Sequence, residues 1–115
     1  MKLGKKAVSF HKPGTNCAQC VLLASRRYSR LNKKTCMKLG SGFGGGVKSG
    51  EICGAISGAV MCLGLCDKAD MTKDFVKNFS EHNGSVRCVE LKGKAIPCDD
   101  LIKYSADLLG EFLKK

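Results

Sequence analysis

The sequence predicts an all-α fold, a small bundle of four to five helices with a glycine-rich inter-helix loop. Three observations carry this expectation. Apolar residues recur at helical spacing in four separate stretches. Residues that start and stop helices bracket those stretches. Only one short segment, "SVRCVEL", alternates with the period of a strand.

In chain order, residues 1–15 read as an N-terminal arm closed by Pro13-Gly14. Asn16 and Gln19 make a capping box, so a helix starts at Cys17. Its apolar face carries Cys17, Cys20, Val21, Ala24, Tyr28 and Leu31. A shorter helical piece covers Lys33 to Leu39, ahead of the glycine loop. The next helix runs from about Gly50 to Leu65. Asp67 to His82 forms a third, with Met71, Phe75 and Phe79 on one face and Asn83-Gly84 as its stop. "SVRCVEL" is then an extended connector. Pro97 introduces a last helix, Cys98 to Leu113, whose Asp99 and Asp100 suit its positive N-terminal end. Leu101, Ile102, Ser105, Leu108, Leu109 and Phe112 form its core stripe. A chain of 115 residues with these patterns is one domain, residues 1–115.

Charge divides the chain. Residues 1–50 hold eleven Lys and Arg and no acid, whereas residues 51–115 hold nine basic and ten acidic residues. Such a basic half suits an acidic redox partner or an anionic site. Nucleic acid is not expected, because only Phe10, Tyr28 and Phe43 in this half are aromatic and no recognition motif is present. The longest uncharged stretch, Ile52 to Cys66, is short for a membrane span, and the N-terminus has no apolar run of signal-peptide length. The expectation is a cytoplasmic protein with reduced thiols, and a homodimer is compatible with it.

The loop "SGFGGG" formally matches a dinucleotide fingerprint at Gly40, Gly42 and Gly45, but no strand precedes it. Gly50, Gly54, Gly58, Cys62 and Cys66 recur every four residues and form a ridge of small side chains. Such a ridge lets another backbone or a bulky group approach closely. The glycines are therefore expected to shape a close-approach pocket that presents Cys53.

Of eight cysteines, Cys17, Cys53 and Cys98 fall at or near helix N-termini, where thiolate is favoured. Cys88, in the connector, is a fourth candidate. Cys62 and Cys66 read as buried structural thiols, with Cys20 and Cys36 as auxiliaries. "CAQC" opens a helix as a thioredoxin motif does, but it lacks the preceding strand. The compact cysteine run of small ferredoxins and paired zinc knuckles are absent, and no catalytic triad or carboxylate pair stands out. Spacing alone gives thiol or metal chemistry of unresolved type.

"NCAQ", "SGFGGG", "CGAISG", Cys88 and Cys98 together resemble the redox-active protein family named for a C…CGAxxG…C…C pattern. "FSEHNGSVRCVEL" is similar to that family around its third cysteine, and the likeness spans residues 16 to about 113. It implies redox activity, with Cys17, Cys53, Cys88 and Cys98 as the defining cysteines. It also implies an iron–sulfur prosthetic group, as associated with some members. Three functions follow as expectations. The first is electron transfer through an iron–sulfur cluster held by those four cysteines. The second is a metal-free thiol–disulfide couple. The third is a structural zinc site in an interaction module. Whether the protein is an enzyme is not decided by the sequence.

Overall fold

The computed structural model describes residues 2–115. They form eight α-helices: α1 (Leu3–Ser9), α2 (Cys17–Ala24), α3 (Arg26–Ser29), α4 (Lys33–Gly40), α5 (Gly54–Leu65), α6 (Thr72–Asn83), α7 (Cys88–Gly93) and α8 (Cys98–Leu113). A π-type turn (Gly46–Gly50) and a 3-10 turn (Ala69–Met71) complete the order. The all-α class holds. The expected count of four to five helices does not, because several patterns break into shorter helices and two further helices lie where none was expected.

One break falls at Ser25, which ends what had been read as a single helix through Leu31. Its hydroxyl donates to the Val21 carbonyl at 2.9 Å, and Arg30, in the left-handed region at φ 68°, then closes α3. The first additional helix is α1, within the segment expected to be an arm; Met1 of that segment lies outside the described residues. No propensity argument requires α1, but packing does. Ala7 is fully buried, and the Gly4 amide donates to the Asp107 carboxylate of α8 at 2.7 Å. The second is α7, which begins at Cys88 inside the expected connector.

The elements that cross the centre are α2, α5 and α8. α2 packs against α1, α4, α5 and α8, and α8 packs against α1, α5 and α6. Phe75 and Phe79 of α6 are fully buried, with edge-to-face partners in Phe112 (5.5 Å) and Tyr104 (5.8 Å) of α8. Each such pair contributes about 0.5–1.5 kcal/mol beyond area burial. The expected stripe of α8 is buried throughout, and Ser105 within it donates to the Ala55 carbonyl of α5 at 2.7 Å. That bond removes the cost of an unpaired hydroxyl in the core.

The glycine ridge sets the distance between α2 and α5. A Cβ at Gly58 would stand 2.7 Å from the Ala18 carbonyl oxygen, and one at Gly54 would stand 3.0 Å from the Phe43 carbonyl oxygen. The close approach read from the sequence is therefore real at these two positions. Gly50 lies outside α5, which starts at Gly54 rather than Gly50.

A four-cysteine site at the helix starts

Four cysteines stand at helix starts. Cys17, Cys88 and Cys98 are the first residues of α2, α7 and α8, and Cys53 is the N-cap of α5. Each has a separate local cause. Before Cys17, the Asn16 side chain accepts from the Gln19 amide at 2.9 Å while the Gln19 side chain accepts from the Asn16 amide at 2.8 Å. This is the expected capping box. Before Cys98, Pro97 holds extended backbone at φ −61° and ψ 142°, and Asp99 and Asp100 occupy the first turn.

Cys53 and Cys88 are fixed together by the only strand-like pairing among the described residues, an antiparallel bridge of Ile52 with Arg87. The Cys53 amide donates to the Val86 carbonyl at 2.8 Å, and the Cys88 amide donates to the Glu51 carbonyl at 2.6 Å. The Arg87 guanidinium braces the bridge through two bonds to the Glu51 carboxylate, both 3.2 Å. "SVRCVEL" is thus extended only as far as Arg87 and turns helical at Cys88. This corrects the placement of Cys88 in an extended connector.

The glycine loop closes the other side. The Asn16 side-chain amide donates to the Gly40 carbonyl at 2.9 Å, and Gln19 donates to the Met37 carbonyl at 2.8 Å. Gly44 lies so near Asn16 that a Cβ there would be 3.0 Å from the Asn16 Cβ. Val47 and Lys48 carry the chain through left-handed backbone at φ 60° and 55° before Glu51. The loop therefore passes over the start of α2 and delivers Cys53. It has no strand before it, as a dinucleotide loop would need.

The four thiols are linked through Cys53 and Cys98. Burial pushes the Cys17 thiol well above the ordinary range, and the neighbouring Cys53, Cys98 and Cys20 push it further. Burial also raises Cys53, against the amides of Ala55 and Ile56, which favour its thiolate, while Cys88 and Cys98 raise it again. The expected lowering by helix ends is overturned at Cys17 and Cys53. The helix amides contribute at Cys53, but desolvation and like charge outweigh them. Nearby, Cys20 is fully buried, and burial with the Asp99 carboxylate lifts it to about 11. Asp99 in turn meets the His11 Nδ1 at 2.5 Å.

Two thiol groups result. Cys17, Cys53, Cys88 and Cys98 influence one another at one end of α5, with Cys20 beside them. Cys62 influences Cys66 and Cys36 at the other end, so Cys36 does not join the first site. None of the eight forms a disulfide. Among the described residues no group of three or more His, Cys, Asp or Glu is arranged to hold a metal ion. The first group matches a cluster's thiolate set in donor kind and number, with no carboxylate or imidazole among the four. The arrangement does not match a ready single-ion cage, which needs its donors already gathered about one point. Sequence reasoning missed His11, whose pairing with Asp99 follows from α1 folding back onto α8.

A helical bundle that presents four mutually interacting thiols from four helix starts defines a cysteine-centred class of protein. The chain belongs to the family described as "Putative redox-active protein (C_GCAxxG_C_C)", whose model matches residues 15–112. In that label glycine precedes the central cysteine, whereas this chain reads Cys53-Gly54-Ala55-Ile56-Ser57-Gly58. No curated protein matches the chain, and no solved structure does.

Proposed function

We propose that the protein is a redox carrier in which Cys17, Cys53, Cys88 and Cys98 hold an iron–sulfur cluster. The observation that carries this reading is a set of four helix-start thiols linked through buried Cys53, which Cys17, Cys88 and Cys98 neighbour. Removing the protons from Cys17 and Cys53 is unfavourable without a compensating positive charge. Iron supplies that charge, and a bound cluster adds one-electron chemistry. The amides of Ala55 and Ile56 stabilise the Cys53 sulfur in its ligating form. Fixed helix starts would hold the ligands in place, and Gly54 lets the glycine loop and the start of α2 pack closely against Cys53.

The basic N-terminal half supports docking to an acidic redox partner in the cytoplasm. Its eleven Lys and Arg residues appear in no ion pair among the described residues. No helix among those residues is long and apolar enough to cross a membrane.

A second reading, a metal-free thiol–disulfide couple, is supported by the nearness of the free Cys17 and Cys98 thiols. One experiment separates the two. Protein purified without oxygen is assayed for iron, acid-labile sulfide and zinc per chain, alongside Cys17→Ser, Cys53→Ser, Cys88→Ser and Cys98→Ser. The cluster reading expects iron with sulfide in the parent and its loss in each variant. Metal-free protein that reversibly gains a Cys17–Cys98 disulfide establishes the second reading. Zinc without sulfide rejects both.

A further inference from the structure

Three thiols lie outside the four-cysteine site and are not used by it. They gather where the C-terminal end of α5 meets the junction of α2 and α3. Cys62 is fully buried, and the Ser25 hydroxyl and the Cys66 thiol both act on its sulfur. Cys66, one helical turn on, has its amide on the Cys62 carbonyl at 3.0 Å. It is half-buried, and its Sγ donates to the Tyr28 carbonyl at 3.5 Å. Cys36 of α4 is fully buried, with Sγ at 3.6 Å from the Leu22 carbonyl and within electrostatic reach of Cys62.

Helix geometry selects among the chemistries open to Cys62 and Cys66. Residues four apart on a helix hold their Cβ atoms roughly 5–6 Å apart. A disulfide needs roughly 3.5–4.5 Å, so oxidation would have to unwind the last turn of α5. A cation seated between the two sulfurs spans the wider gap without moving the backbone. Two thiolate donors select a soft monovalent ion over hard or borderline ones.

We infer that Cys62 and Cys66 form a second, independent site for a soft thiophilic cation of the Cu(I) class. The reaction is an exchange without electron transfer. One Cu(I) displaces two thiol protons, two Cu–S bonds form, and the protons leave to solvent. Half-exposed Cys66 is the entrance, and buried Cys62 is the inner ligand. The product carries one net negative charge. The Arg26 guanidinium, held by its Nε on the Leu23 carbonyl at 3.0 Å, acts on the neighbouring Cys36.

The test is anaerobic titration of the whole protein with Cu(I) delivered from a coloured chelator, comparing the parent with Cys66→Ser, Cys62→Ala and Cys53→Ser. Iron and sulfide are measured on the same samples. Cys66→Ser and Cys62→Ala should each lose one equivalent of Cu(I) while retaining the parent's iron content. Cys53→Ser should keep that equivalent whether or not the first site proves to hold iron. X-ray absorption should show only sulfur around the retained copper. Circular dichroism identifies any variant that fails to fold, and Cys66→Ser, altered at a half-exposed position, keeps the comparison available if Cys62→Ala unfolds. Equal Cu(I) uptake by parent and folded Cys66→Ser overturns the inference.

Discussion

At the scale of single residues, five thiols of the metal-free protein, Cys17, Cys20, Cys36, Cys53 and Cys62, are held protonated by their surroundings. Cys17 and Cys53 are raised, chiefly by burial; Cys20 is pushed up to about 11 and Cys62 to about 12. An ordinary thiol, as in the unfolded chain, titrates near 9.0. Above that pH the unfolded state releases protons that the folded state keeps, so the sign is destabilising. Stability is fully present below about pH 9 and is lost as pH rises through the folded values. Urea unfolding of the metal-free protein should therefore show a midpoint that falls between pH 8.5 and 10.5. The fall should be smaller in Cys20→Ala, which removes one raised thiol. A midpoint that does not move contradicts the burial argument. The same protonation makes these thiols slow to alkylate at neutral pH, although three of the four site cysteines begin helices.

At the scale of elements, the α2–α5 contact depends on two missing methyl groups. Gly58→Ala places a Cβ against the Ala18 carbonyl and should destabilise by about 1–3 kcal/mol through overpacking. Gly64→Ala, on the same helix but facing open space, should instead stabilise by up to about 1 kcal/mol through helix propensity. Denaturant unfolding of the pair checks the signs, and equal effects would show that the ridge does not set the contact. That contact was legible in the sequence, because glycines at four-residue spacing have few other uses in a helix. So were the start of α2, the start of α8 and the stop at Gly84, each written in the residue types of its cap. Other features were hidden because tertiary contacts create them. α1 exists through Gly4 and Ala7 against α8, and its local sequence reads only as basic. α7 was masked by a segment that pairs at Arg87 and coils from Cys88, which gives one stretch two periods. The helix-end rule placed Cys17, Cys53 and Cys98 at helix starts but misjudged the acidity of Cys17 and Cys53, since spacing reveals neither burial nor the nearness of other thiols.

At the scale of the whole molecule, charge asymmetry and the placement of the site act together. The basic half supplies α4, whose end at Gly40 accepts from Asn16 beside Cys17, so on the proposed reading a partner drawn to that charge docks near the site. Binding to an acidic electron-transfer protein should weaken steeply as salt rises, and reversing charge at Lys33, Lys34 and Lys38 should slow association more than it speeds release. Salt-independent binding, or none, removes that role from the basic half. The nearness of Cys17 to Cys98 has a different consequence. These residues lie near opposite ends of the chain, so any group that ties them together closes most of the polypeptide into a ring. Ring closure takes more freedom from the unfolded chain than from the folded one. A filled site therefore acts as a reversible clasp on the whole bundle. Heating the filled protein should give a transition whose apparent midpoint depends on scan rate, because loss of the occupant, and not helix melting, sets the pace.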